Sequence, residues 1–304
     1  MKMPHPIPYQ GSKRNLAKYI LPHFPKSINT LIEPFAGSSA ISIASAYEGS
    51  AEGYSINDLN KPLMNLWERI INAPNAIAKV YEKLWHEQLG KRREYYDFIR
   101  DEFNKTHNPD YLLYLLARCV KASVRYNAQG EFNQSPDNRR KGKRPRTMRK
   151  DILAVSALLR GKTQIHSLDY KEILSTAKRD DLIYMDPPYQ GVCATGEPRY
   201  YSGIDFNEFL EELEKLNSRG ISFILSYDGK SGKKTYGVEL PKELGMKKME
   251  INAGRSSQAT LLGRDDITFE SIYLSRSLLQ KLETPSIAPQ VYVRSYQPVQ
   301  PSLL

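Results

Sequence analysis

Cysteine is nearly absent: Cys119 and Cys193 are the only two among 304 residues. They stand far apart without metal-ligand spacing, which argues against a disulfide-stapled scaffold and a structural zinc, and fits a reducing compartment. Long hydrophobic runs are missing as well. No apolar stretch approaches the roughly 20 residues that cross a bilayer. Met1 to Gln10 carries three prolines where a secretory leader needs an apolar segment. The expectation is a cytoplasmic protein with no membrane partner and no metal. Acidic residues are in deficit: 34 Asp plus Glu face 44 Lys plus Arg, a formal net charge of +10. That surplus suits a polyanionic partner, although basic proteins without one are common. No internal repeat is present.

What remains is ordinary globular material, long enough to bury a full core. Residues 28 to 58 read as strand, turn, helix and strand. Leu31-Ile32 runs into a small-residue turn at Pro34 to Ser39, a helix follows over Ala40–Ala46, and Tyr54–Asn57 leads to Asp58. This is half of a βαβ unit, its loop at the carboxyl end of a strand. From residue 60 to about 160 the period becomes helical, over Ala76–Leu89, Glu94–Asn104, Asp110–Tyr126 and Asp151–Arg160. Strand texture returns at Thr163–Ser167, Leu182–Met185, Ile221–Ser226, Lys247–Ile251 and Glu270–Leu274, with a helix over Phe206–Leu216. The alternation predicts an α/β sheet interrupted by a helical insertion. The expected division is a sheet domain from 1–59 and 161–280, an insertion at 60–160, and a tail at 281–304. Scattered prolines without a period predict that the tail is poorly ordered.

Asp186-Pro187-Pro188-Tyr189 ends an apolar strand in an unusual way. The prolines remove backbone donors and stiffen the loop. The Asp carboxylate and a proline carbonyl are left as paired acceptors, suited to the two hydrogens of an amino group, with the Tyr189 ring to stack on a planar base. Such acceptors favour a more nucleophilic, pyramidal nitrogen facing a methyl sulfonium, and no covalent intermediate is needed. The plain alternative is a Pro-Pro turn that merely ends a strand. The loop Glu33-Pro34-Phe35-Ala36-Gly37-Ser38-Ser39 lets backbone approach a ligand at a helix start. By itself it is a common kind of turn. Asp58, about 20 residues on, stands where an acid meets ribose hydroxyls, a solvated turn carboxylate being the alternative. Upstream, Tyr9 and Lys13 flank the small-residue turn Gln10-Gly11-Ser12.

Eight basic residues lie between Arg139 and Lys150 with no acid among them. Arg139, Arg140, Lys141, Lys143, Arg144 and Arg146 are expected to seek phosphates, which position a duplex without specifying its sequence. A solvated charged loop is the alternative. Sequence readout is expected from Arg, Asn or Gln side chains near Arg125 to Gln134. Ser226-Tyr227-Asp228 is expected to end its strand and line the same cleft, with structural filling as ready a reading as a catalytic role, and Arg255-Ser256-Ser257 to meet a nucleic-acid backbone.

Together these segments resemble the Dam-like family of adenine-N6 DNA methyltransferases, over roughly residues 5 to 276 and in the family's order. The resemblance implies a Rossmann-like S-adenosylmethionine-dependent methyltransferase sheet with a mainly helical inserted target-recognition domain. It implies that Tyr9, Lys13, Glu33, Phe35, Ala36, Gly37, Ser38, Asp58, Asp169 and Asp186 meet S-adenosylmethionine, Asp169 at the adenine ring. It further implies catalysis by Asp186, Pro187, Pro188 and Tyr189. The segment Arg125 to Asn133 is similar to a hairpin at the family's DNA-facing edge, which marks Arg125, Asn127, Phe132 and Asn133. Two departures stand out: Ser39 replaces a second glycine of the cofactor loop, and Pro136 falls one residue later than the family's proline. The implied activity is methylation of a flipped adenine in double-stranded DNA at specific sites. The implied setting is a restriction-modification or related bacterial or phage system, with a companion endonuclease and a monomer or weak dimer. The rival readings are methylation of cytosine or of RNA adenine, and an idle DNA-binding module.

Overall fold

The computed structural model describes residues 3–188, 204–231, 234–236, 239–255 and 267–283. A short helix α1 (Ala17–Ile20) precedes β1 (Thr30–Glu33), α2 (Ala40–Glu48) and β2 (Gly53–Asn57). Five helical segments follow: α3 (Lys61–Asn72), α4 (Pro74–Glu87), α5 (Arg92–Thr106), α6 (Pro109–Arg118) and α7 (Pro145–Leu159). The chain then returns to the sheet through β3 (Thr163–His166), α8 (Tyr170–Thr176) and β4 (Leu182–Met185). The last elements are α9 (Phe206–Ser218), β5 (Ser222–Ser231), β6 (Lys234–Tyr236), β7 (Lys247–Arg255), β8 (Ile267–Leu274) and α10 (Arg276–Glu283).

The strands form one sheet in the order β3-β2-β1-β4-β5-β8-β7, with β6 paired to β5. β1 to β5 are mutually parallel, whereas β8 runs antiparallel to both β5 and β7. Strand order reverses between β1 and β4, so the chain leaves the sheet in opposite directions there and opens a crevice at their carboxyl ends. The central strands are buried on both faces, as parallel strands covered by helices must be. Their residues alternate with period two. Leu31, Leu182, Tyr184 and Ile224 enter one core, and Ile32, Ile183, Met185 and Leu225 the other.

The helices of 61–159 do not make a core of their own. Trp67, Tyr81, Phe103 and Tyr114 join the same hydrophobic cluster as Leu31, Tyr54 and Ile224 of the sheet. The changes of texture near 60 and 160 therefore mark a change of secondary structure, not a break in packing. Arg69 braces α3 against α6 through a two-point contact with Asp110, at 3.1 and 2.9 Å.

Several element boundaries differ from expectation. The helix expected to run to Tyr126 stops at Arg118, because Lys121 and Ala122 take left-handed backbone angles, φ 59° and 51°. α7 begins at Pro145, earlier than expected, since proline at a first helical position costs no hydrogen bond. β5 continues past Ser226 through a bulge to Ser231. α10 was not foreseen, and it places Lys281, Leu282 and Glu283 in a helix. The remainder of the expected tail, 284–304, lies outside the described residues.

Candidate active site

All ten residues expected to meet a cofactor line one cavity at the carboxyl ends of β1, β2 and β4. Topology explains the convergence: each strand delivers its terminal acid to the edge where strand order reverses. Glu33 ends β1, Asp58 follows β2, Asp186 follows β4, and Asp169 caps α8 just beyond β3. Pro187 and Pro188 are in the wall beside Asp186. Tyr189, the fourth member of the expected catalytic set, lies outside the described residues.

The loop after β1 is held from three sides. The Gly37 N–H donates to Asp58 Oδ2 at 3.0 Å, and the Trp67 indole N–H donates to the Gly37 carbonyl at 2.9 Å. Gly37 has φ 48°, and a Cβ there would come within 3.1 Å of the Tyr9 ring. Only glycine suits that conformation and that approach. Ser39 also has a positive φ, 45°. It adopts the left-handed angle that a glycine takes without strain, so the departure from the family's pattern keeps the backbone path.

The acids are differently employed. Asp58 accepts from the Gly37 and Asn60 N–H groups, and burial holds its carboxyl above the ordinary range against those bonds. Glu33 is buried and accepts from the Ser42 N–H at 3.1 Å and the Ser42 hydroxyl at 2.5 Å. Burial pushes its carboxyl up to about 7; the Ser42 bonds oppose this and the nearby Asp186 charge adds to it. Glu33 thus spends its described hydrogen bonds on the first turn of α2 while bordering the cavity. Asp169 accepts from the Lys171 N–H at 2.9 Å. The neighbouring Tyr170 ring meets Phe35 at 5.3 Å between centroids, and the two supply an aromatic wall. Tyr170 was missed in the sequence, although its place directly after Asp169 was a usable signal.

At the catalytic end, Lys13 Nζ stands 3.1 Å from Asp186 Oδ1 and 2.9 Å from Glu270 Oε2. The lysine therefore serves the Asp186 carboxylate as well as bordering the cavity. Glu270 lies on β8, and no local motif in the sequence surrounds it.

Ser226-Tyr227-Asp228 needs correction. None of the three lines this cavity. Ser226 is buried within β5, and Tyr227 is buried behind the two prolines, its ring 6.4 Å from Phe206. Asp228 sits in the bulge at φ 59° and accepts from Tyr273 and Lys248, at 2.5 and 2.8 Å. For the Arg255 loop, Ser256 and Ser257 lie outside the described residues.

The expected DNA-facing segment forms a hairpin. Tyr126 bridges Phe132, the Asn127 N–H donates to the Glu131 carbonyl, and the Asn133 N–H donates to that of Arg125. Asn127 staples the tip by accepting from the Gln129 and Glu131 N–H groups. Asn133 is exposed and Arg125 half-buried. Phe132 is not at the surface. It is 1% exposed, packed edge-on to Phe103 and Tyr126, and its N–H and carbonyl are both bonded to Asn104. Burial gives Phe132 a core role in holding the hairpin and argues against a DNA contact through its ring. Tyr126, in contrast, borders the cavity, and its hydroxyl donates to Asn60 Oδ1 at 3.2 Å.

The basic run is a pinned loop followed by a helix. The carbonyls of Arg140, Lys141 and Lys143 accept from Arg118, Gln88 and Tyr81 respectively. Arg139, Arg140, Lys141, Arg144 and Arg146 are exposed. Arg139 and Arg140 flank Asp137 at 3.3 and 3.4 Å, and the Arg139 bond holds that carboxyl below its usual range. Lys143 is the exception: it is turned inward to Asp151 at 2.6 Å and to the His5 carbonyl at 2.5 Å. Its role is to tie the loop to the N-terminal segment, and it is withdrawn from the phosphate-seeking set.

Among the described residues no helix is long and apolar enough to cross a membrane. Cys119 is buried and its thiol is pushed up to about 12 by desolvation, which makes it a poor nucleophile.

Comparison with known proteins bears on what this cavity does. Residues 9–281 match the family model described as D12 class N6 adenine-specific DNA methyltransferase. The chain is 27% identical over 242 residues to the Type II methyltransferase M.MjaIII of Methanocaldococcus jannaschii, covering 72% of this chain and 82% of that protein. It is 26% identical over 271 residues to the Type II methyltransferase M1.LlaDCHI of Lactococcus lactis subsp. cremoris, covering 84% of this chain and 90% of the relative. With M.FokI of Planomicrobium okeanokoites the identity is 27% over 234 residues, 73% of this chain but 35% of that relative, so the chain spans about a third of it.

Proposed function

The chain belongs to the D12 class of N6 adenine-specific DNA methyltransferases, and from that premise we propose that the cavity binds S-adenosylmethionine beside a pocket for an adenine swung out of double-stranded DNA. The family's reaction is methyl transfer to the N6 amino group of adenine; the assignment of roles to individual residues is our reading. It is carried by the convergence of Asp58, Asp169 and Asp186, from separate strand ends, on one cavity.

The residues present fit such a methyl donor. Asp58 and Asp169 offer carboxylates for ribose hydroxyls and for an exocyclic amino group. Phe35 and Tyr170 offer an aromatic surface, and Gly37 with Tyr9 a close backbone cradle. Glu33 and Asp186 put acidic groups where a sulfonium cation is favoured. When bound, the cofactor supplies a methyl group made electrophilic by its positive sulfur.

The chain's own residues do the rest. Asp186 and the Pro187 carbonyl accept the two amino hydrogens of adenine, and no proline N–H competes as a donor. Lys13 engages Asp186 Oδ1 and so holds the carboxylate in place. As the N6–methyl bond forms, the methyl–sulfur bond of the donor would break to leave a neutral thioether; the positive charge that builds on N6 meets the Asp186 carboxylate, and N6 then loses one proton to water. The base must leave the stack because its amino group is paired and flanked there. The exposed arginines and lysines of 139–146 grip phosphates, and the hairpin at 125–133 faces the duplex. By analogy with the Type II relatives, a restriction-modification setting with a companion endonuclease is our proposal for its biology.

Purified protein incubated with labelled S-adenosylmethionine and a mixture of DNA and RNA is expected to yield labelled N6-methyladenine in DNA alone. Label in cytosine or in RNA only, or no transfer, would overturn this reading.

A further inference from the structure

We propose that Glu270 is a positioning residue for methyl transfer: it anchors Lys13 and keeps the catalytic end of the cavity net negative, so that Asp186 acts at full strength on the amino group. The proposal rests on the functional reading above.

Three charged groups stand in a row, Asp186, Lys13 and Glu270, with the ammonium 3.1 Å from one carboxylate and 2.9 Å from the other. The lysine side chain is 7% exposed and each carboxylate 23%. With the ammonium buried between two partly exposed carboxylates, a single ion pair would be close to neutral. Lys13 with Asp186 alone would cancel the charge that must polarise the amino hydrogens and oppose the positive charge building on N6. A second carboxylate on the far side of the ammonium restores one net negative charge. It also fixes a long, rotamer-rich side chain that would otherwise be free to fold over the acceptor oxygens.

The sheet is built to allow this contact. Glu270 lies on β8, separated from the end of β4 by β5. Directly opposite Glu270 on β5 is Gly229. Opposed residues of an antiparallel pair share a face, so any other residue at 229 would present a side chain beside the Glu270 carboxylate. A Cβ at Gly229 would also come within 2.7 Å of the Phe269 carbonyl. On the other side Glu270 is opposed by Ile251, a buried apolar residue that offers it no hydrogen bond. The Oε2 atom is buried and accepts no hydrogen bond of good geometry, so its 2.9 Å contact with the Lys13 ammonium is a charge–charge contact rather than a directed hydrogen bond, and Lys13 is the cation that the described residues set against it. Glu33 is another carboxyl that feels Asp186, and it is bonded to Ser42 and to the Ile41 backbone at the start of α2.

The test is steady-state methyl transfer from labelled S-adenosylmethionine to adenine-unmethylated genomic DNA, using the full chain, Glu270→Gln, Glu270→Asp, Lys13→Met and the Lys13→Met/Glu270→Gln double variant. Active protein is counted by S-adenosylmethionine binding. Glu270→Gln is expected to lower kcat about tenfold per active molecule, with KM for cofactor and DNA within about threefold. Glu270→Asp, which keeps the charge on a shorter arm, is expected to recover part of the loss. Lys13→Met leaves two carboxylates facing each other, so adding Glu270→Gln to it should cost nothing further or relieve the defect. Unchanged kcat in Glu270→Gln, a loss explained wholly by a lower active fraction, or multiplicative effects in the double variant would overturn the proposal. If the unmodified chain transfers no methyl group to adenine, the functional reading itself fails and this inference falls with it.

Discussion

The strand ends and the helical insertion meet at the same cleft but are built under different constraints. At the strand ends, a functional residue is placed by its position in the chain: one residue past a buried strand is always the sheet edge. Glu33, Asp58 and Asp186, at or one residue past their strands, accordingly reach the cavity, where the other seven expected cofactor contacts join them. In the insertion, a residue's place depends on which face of a helix or hairpin it occupies. Phe132 and Asn133 are adjacent, yet one is core and the other solvent. Lys141 and Lys143 belong to one basic run, yet one is exposed and the other is tied to Asp151. Residue type and order therefore identify function at the sheet edge and only propose it in the insertion.

The largest expected effect is on the strand-end side. Asp186→Ala should reduce methyl transfer by about a thousandfold or more while DNA binding, followed by gel shift, stays close to that of the parent. Near-normal turnover would mean that the sheet edge does not carry the chemistry. Next is Phe132→Ala, where a buried aromatic is truncated; a loss of about 3–5 kcal/mol in denaturant unfolding is expected. If stability is unchanged and only DNA affinity falls, Phe132 is a surface contact after all.

Glu33 tests the strand-end side through pH. Its carboxyl titrates near 7 in the fold against an ordinary value of 4.5, so between those values the folded chain keeps a proton that the unfolded chain releases. Stability should therefore fall as pH rises from 4.5 to 7 and level off above, by about 3 kcal/mol in all. Glu33→Gln should remove that share of the slope and be the more stable protein at pH 8. Parallel stability curves for parent and variant would show that Glu33 titrates normally.

The smallest effects are expected in the basic loop. Neutralising Arg139, Arg140, Lys141 and Arg146 should weaken DNA binding on all sequences and flatten its salt dependence, each lost phosphate contact lowering the slope by about one. Lys143→Ala should instead lower the melting temperature and leave the salt slope alone. A Lys143 variant that changes the slope would return that residue to the phosphate-binding set.

The amino-acid sequence by itself determined the α/β sheet, the helical insertion and the cavity. Leu182–Met185 is a short apolar run and Tyr54–Asn57 an alternating one, each followed by an acid, and such runs become buried strands whose next residue is at the edge. Period, turn residues and motif order are local, and they survive without knowledge of contacts. Tertiary structure alone decided the rest. Lys13 and Glu270 lie at opposite ends of the chain and meet only because β8 inserts antiparallel beside β5. Phe132 is core because Asn104 and Phe103 of α5 receive the hairpin. Asp228 turns from the cleft because a bulge gives it a left-handed backbone. Each of these depends on a partner distant in sequence, whose approach is set by how sheet and helices pack and leaves no mark in the residues beside it.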